Sequence, residues 1–108
     1  MSGPLGEFEQ LVLLALLQLG DEAYGVTVRQ EIASRTGRVV SLGTVYTTLG
    51  RLEAKRLVEA TLGDPTPERG GRRKKFYRVR PAGERALASS LAALQRMTAG
   101  LKPALERP

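Results

Sequence analysis

Apolar residues recur along the chain with two different periods, and the changes between them divide it into elements. From Glu7 to Arg56 the spacing is helical, from Leu57 to Val79 it alternates, and from Pro81 it is helical again. The first helical run, Glu7 to Leu19, is apolar nearly all round through Leu11, Val12, Leu13, Leu14, Ala15, Leu16 and Leu17. A helix of that kind is buried on several sides. Glu7 and Glu9 stand in its first turn, where the helix dipole favours acids, and Gly20 suits its end. After the connection Asp21–Gly25, a second helix is expected over Val26–Arg35. Val28 and Ile32 face inward, Arg29, Gln30, Glu31 and Arg35 outward, and Thr36-Gly37 ends it. Arg38–Val40 is long enough for one strand rung. Gly3, Pro4 and Gly6 make residues 1–6 a flexible N-terminal arm.

Ser41 is a natural N-cap for a third helix, and the stretch Ser41–Arg56 has two unlike faces. Leu42, Val45, Leu49 and Leu52 form its apolar stripe, while Thr44, Thr47, Thr48 and Arg51, with Tyr46 beside them, form the other side. A helix braced by one face and offering short polar groups on the other fits a DNA major groove, about 12 Å wide. An ordinary surface helix has the same pattern, so the stretch alone does not choose between the two. The short Gly-containing turn before it gives helices two and three a helix-turn-helix arrangement.

Leu57–Leu62 and Lys75–Val79 read as strands of a hairpin. The loop between them, Gly63 to Arg73, holds Pro65, Pro67, Gly70 and Gly71. Arg69, Arg72, Arg73, Lys74, Lys75, Arg78 and Arg80 put seven of the chain's 17 cations within this part of the sequence, with no acid among them. Charge at that density suits a polyanionic partner; a solvated loop is the alternative. Pro81 opens the last helix. Leu87, Leu91, Leu94, Leu101 and Leu105 keep heptad spacing along it, with Thr98 in the one polar slot. Regular helix is expected to end between Ala99 and Lys102, at Gly100 and Pro103. Together with the first helix, this seam shows more apolar surface than one small core absorbs, which favours a homodimer over the alternative, a helix folded back on its own domain. Leu13, Leu17, Leu87, Leu91, Leu94 and Leu101 are the expected interface residues.

Composition narrows the chemistry. The 108 residues suit one domain, and the net charge of +6 suits nucleic acid or an anionic surface. There is no Cys and no His, so a zinc site or a Ser–His or Cys–His catalytic pair cannot be assembled. The 11 acids are scattered, with no pair set for acid–base work. An enzyme is therefore not expected, nor any cofactor. The longest apolar run is far short of the roughly 20 residues a membrane span needs, and the first residues lack a signal peptide's basic region. A cytoplasmic protein is expected.

The fold class read from these elements is mainly α with a small β-hairpin, in the order of a winged helix-turn-helix: three helices, strand, basic wing, strand, helix. The residues also resemble the PadR-like family of winged helix-turn-helix transcriptional regulators, in its short C-terminal branch. The matching pieces are Leu11–Leu17, Tyr24-Gly25, Gly43-Thr-Val-Tyr46 with Leu49, Arg51-Leu-Glu53, Leu57-Val58, Arg72–Tyr77 and Pro81-Ala-Gly83. The chain departs from the family at Arg80, where a capping residue is common, and in the sequence of its wing. The resemblance implies a DNA-binding domain over residues 7–80, a dimerisation helix and tail over residues 81–108, and no enzymatic activity. It implies a regulator, a repressor in the first instance, that binds double-stranded DNA as a homodimer on a roughly palindromic operator. Ser41, Gly43, Thr44, Tyr46, Thr47 and Arg51 would meet DNA from the recognition helix, and Arg69, Arg72, Arg73 and Lys74 from the wing. Some short members of the family bind flat aromatic drugs between Trp residues; this chain has no Trp, and no residue marks a small-molecule effector. A protein-interaction module with a basic wing, or an architectural DNA-binding protein without sequence preference, are the alternatives.

Overall fold

A computed structural model describes residues 4–63, 74–101 and 105. Its elements are α1 (Glu7–Leu19), a single 3-10 turn (Gly20–Glu22), α2 (Gly25–Thr36), α3 (Leu42–Ala54), β1 (Val58–Leu62), β2 (Lys75–Val79) and α4 (Pro81–Thr98). This is the winged helix-turn-helix order expected from the sequence. Helix α2 gains a residue at each end over the expected span, and α4 stops just before Ala99. Among the described residues, no helix is long and apolar enough to cross a membrane.

The three N-terminal helices surround one core. Val12, Leu13 and Leu16 of α1, Val28 and Ile32 of α2, and Val45, Leu49 and Leu52 of α3 are at most 3% exposed. Each such side chain contributes roughly 1.5–3 kcal/mol relative to leaving it in water. Ala23, Leu57, Val58, Tyr77 and Leu87 close the remaining sides. Leu5 is buried as well, and the Gly6 N–H donates to Glu9 Oε1 at 2.8 Å. The end of the expected flexible arm is therefore fixed: an apolar side chain at residue 5 finds the core.

Strands β1 and β2 pair antiparallel, from Val58 opposite Val79 to Leu62 opposite Lys75. A third rung comes from the start of α2, where Tyr24 bridges Phe76 and the Tyr77 N–H donates to Ala23 O at 2.9 Å. Arg38–Val40 forms no strand. Val40 instead accepts a hydrogen bond from Arg29 Nε at 2.7 Å, which closes the turn between α2 and α3.

Leu57 is the junction of the second half of the chain. Its N–H donates to Leu52 O in the last turn of α3, and its carbonyl accepts from the Arg80 N–H, both at 2.9 Å. Gly83 lies directly over that carbonyl: a Cβ there would stand 2.2 Å from Leu57 O. Helix α4 is thus seated through Gly83 and Leu87, with Ala82, Ala86 and Leu91 packed at the margin. From Ala93 onward every described residue of it is exposed. Leu94 is 53% exposed and Met97 76%, and Leu101, past the helix end, is 51% exposed.

Candidate nucleic-acid interface

Helix α3 begins at a formed cap. Ser41 Oγ accepts from the Thr44 N–H at 3.1 Å and lies 2.9 Å from Thr44 Oγ1. Such a cap contributes about 1 kcal/mol and fixes where the helix starts. Its back is the buried row Val45, Leu49 and Leu52, and its front is Gly43, Thr44, Tyr46, Thr47, Gly50 and Arg51, all exposed. Thr48 does not belong to the polar face. It is only 4% exposed, and its hydroxyl donates to Thr44 O at 3.0 Å. That backbone bond satisfies the hydroxyl inside the protein, so the Thr48 methyl can face the core beside Val45 and Leu49.

The front of α3 is held from three sides. Lys55, just past its end, donates to Glu9 Oε2 at 2.8 Å and ties the helix to the start of α1. Burial alone would push the Glu9 carboxyl up, but the Lys55 ammonium and the Gly6 N–H outweigh it and leave the group below its ordinary value of 4.5. At the wing side, Lys75 Nζ lies 3.5 Å from Glu53 Oε1. At the α2 side, the Tyr46 ring rests against Gly25, where a Cβ would meet ring carbon Cζ at 2.4 Å. Among the described residues, no carboxylate pairs with Arg51.

The wing cations divide into two groups. Arg78 is paired with Glu59, directly opposite on β1, and each holds the other in its charged form: hydrogen bonding to Arg78 lowers the Glu59 carboxyl, and hydrogen bonding to Glu59 raises the Arg78 guanidinium. Lys75 is paired with Glu53. The run of cations without acids in the sequence is therefore partly matched by acids from β1 and α3. Lys74 sits at the base of the wing, its ammonium 4.6 Å from the Tyr24 ring centroid and 3.4 Å from the Tyr24 hydroxyl. Tyr24 meets Phe76 edge-on at 5.4 Å. Arg69, Arg72 and Arg73 lie outside the described residues.

The expected interface leucines also divide. Leu13 and Leu87 are at most 3% exposed within the single chain: they are spent on its own core and present no surface to a second copy. Helical periodicity does not say which side of an all-apolar helix faces inward, and α1 turns Leu13 in while leaving Leu17 49% exposed. Leu91 is half-buried, and Leu94 and Leu101 are open.

Three contributors were given no role at the site from sequence, although Tyr24-Gly25 is among the pieces that carry the family resemblance. Gly25 and Tyr24 shape the α2 end of the site. Arg38 donates to Glu7 Oε1 at 2.6 Å and lies 5.2 Å from the Phe8 ring centroid, which ties the turn before α3 to α1. A glycine at a helix start with no turn to make was the available signal for Gly25.

Residues 13–89 match the family model of the transcriptional regulator PadR-like family. The chain is 40% identical over 79 residues to the transcriptional regulator Rv3488 of Mycobacterium tuberculosis, covering 71% of this chain and 67% of that one. Among solved structures, a PadR family transcription regulator from Clostridium difficile superposes with a TM-score of 0.74 at 22% identity, over 93% of this chain and 99% of the other. A PadR family transcriptional regulator from Eggerthella lenta gives 0.69 at 28% identity, over 94% and 88%. A family match over most of the chain makes this protein a DNA-binding transcriptional regulator of the PadR-like family.

Proposed function

We propose that the protein is a homodimeric, sequence-specific repressor whose helix α3 lies in the major groove of a roughly palindromic operator. The observation that carries this reading is the front of α3. It is exposed, polar and held in place, and its one guanidinium, that of Arg51, has no acid partner among the described residues. Arg51 suits bidentate contact with guanine. Thr44 and Thr47 offer hydroxyls to bases, while Ser41 and Tyr46 reach phosphates and set the register. Gly43 lets the backbone come close. Lys74 and the wing arginines Arg69, Arg72 and Arg73 meet the flanking backbone or minor groove.

Residues 7–80 form the DNA-binding part and residues 81–108 the dimerisation part. The exposed Leu94 and Met97 on α4, with Leu101 just past its end and the half-buried Leu91 one turn before, support pairing through that helix; Leu17 is exposed on α1. In such a dimer the two reading helices lie about 34 Å apart, one turn of DNA. Selection of bound fragments from the source genome, followed by footprinting, tests the reading. A symmetric footprint on an enriched fragment is expected. No enrichment over random DNA would favour a protein partner for the basic wing, and a footprint that slides freely would favour an architectural role.

A further inference from the structure

Gly25 opens α2 where a glycine is a poor choice for the backbone. Positive φ among the described residues is confined to Gly20, Gly37, Gly100 and Arg56, so Gly25 needs no special conformation. Alanine is the better helix former. What does exclude a side chain is Tyr46, one element away. A Cβ on Gly25 would stand 2.4 Å from Tyr46 Cζ, 2.5 Å from its hydroxyl oxygen and 2.6 Å from Cε1, where carbon contacts need roughly 3.5–4 Å. Yet Tyr46 is 44% exposed and belongs to no core. Its ring packs against the first residue of α2 and stays partly open to solvent.

The place of this contact matters. Besides Tyr46, α2 and α3 are joined through the core cluster that holds Val28, Ile32, Val45 and Leu49 and by the Arg29 bond to Val40 in the turn between them. Two helices that meet along one apolar seam can rock about it. Tyr46 is off the seam, on the turn of α3 that also carries Thr44 and Thr47, and its ring reaches back to the start of α2. A contact there restricts that rocking at the end of α3 that carries Thr44 and Thr47.

We propose that Gly25 is a positioning residue for the DNA-reading helix: its missing side chain is the seat of the Tyr46 ring, and this fit sets the angle at which Thr44, Thr47 and Arg51 are presented. The inference rests on the DNA-binding reading above. Gly25 itself touches no base; it acts through Tyr46.

Binding of the full-length protein to a duplex carrying the selected site, and to a random duplex of equal length, tests the proposal. Gly25→Ala should melt no lower than wild type, since the ring can swing into solvent. It should lose about tenfold or more in affinity for the selected site and much less for random DNA. Adding Gly25→Ala to Tyr46→Ala should change affinity less than about twofold, because the two act as one unit. Tyr46→Phe keeps the ring but loses the hydroxyl given to phosphate, so it should weaken selected and random binding together, unlike Gly25→Ala. Wild-type selectivity in Gly25→Ala, or a loss undiminished in the Tyr46→Ala background, overturns the proposal. If Gly25→Ala fails to fold, recovery of folding without selectivity in the double variant supports the fit, and no recovery overturns it. If wild type selects no fragment, the DNA reading fails first and the purpose given to the joint falls with it. An unmoved Tyr46 ring proton spectrum in Gly25→Ala separately overturns the fit itself.

Discussion

Helix α3 and the far half of α4 both turn a row of side chains to solvent, but the rows are opposites. The front of α3 shows hydroxyls, glycines and one guanidinium, which water solvates well. The far half of α4 shows Leu94 and Met97, followed by Leu101 just past its end, which water does not. The α3 surface is therefore stable when free and selective when occupied, because partner groups must match its donors. The α4 surface is costly when free, and any apolar cover lowers its energy. Where a chain exposes a polar face, geometry decides the partner; where it exposes an apolar one, area decides.

The strongest way to break this contrast is to make the α4 row polar. Leu94→Glu with Met97→Glu should leave the protomer folded, since both are open, and remove four buried side chains from a symmetric pair. The pair should weaken by at least about 6 kcal/mol, read as a halved mass in sedimentation at micromolar concentration. Unchanged mass would mean that the row is not the interface. Next come the two faces of α3. Leu49→Ala should cost about 2–5 kcal/mol of stability, while Thr47→Ala should stay within about 0.5 kcal/mol and weaken operator binding. Chemical denaturation separates them, and equal losses would mean that Thr47 is not a surface residue in solution.

The brace behind α3 can be tested by pH. Glu9 lies below its ordinary value of 4.5 because its bonds to Lys55 and Gly6 outweigh the cost of burial. Its contribution is complete above that ordinary value and is lost as pH falls through the lowered one. Glu9→Gln should cost about 1.5–3 kcal/mol near neutrality, and the gap from wild type should narrow in acid melts below pH 4.5. A constant gap would remove the ion pair from the account.

On the DNA side, Arg51→Ala should cost about 1–3 kcal/mol, mainly at one base pair. Neutralising Arg72 and Arg73 should weaken binding to every sequence and flatten the salt dependence by about one unit per lost phosphate contact. Equal effects on selected and random DNA from both changes would erase the division between reading helix and wing. The smallest change is Gly50→Ala. Gly50 is exposed in mid-helix, with nothing within 4 Å of an added Cβ, so alanine should stabilise the protein by roughly 0.5–1 kcal/mol. A lower operator affinity alongside the higher melting temperature would show that DNA approaches the backbone at that point; unchanged affinity would place Gly50 off the contact.

The elements were legible because their signals are local. Ser41 caps α3 as its type suggests, Pro81 opens α4, and the alternation over Lys75–Val79 is a strand. What the sequence hid depends on direction or on distant neighbours. Thr48 reads as polar, but its bond to Thr44 O lets it lie inward. Leu13 and Leu17 look equivalent on an apolar helix, and only the packing of α2 and α3 decides which is covered. The acids that match Lys75 and Arg78 come from Glu53 and Glu59, more than a loop away in sequence. The third rung of the sheet arises at Tyr24, far from any strand pattern. The front of α3 was otherwise readable, because exposed positions are those the apolar stripe leaves over.

Leu57 holds the last turn of α3 with its N–H and the first turn of α4 with its carbonyl, under a glycine that leaves no gap. The first turn of α4 and the last turn of α3 are consequently joined through a single residue. If two copies pair through α4 as proposed, a change in the angle of that pairing bears on α3 through this one residue.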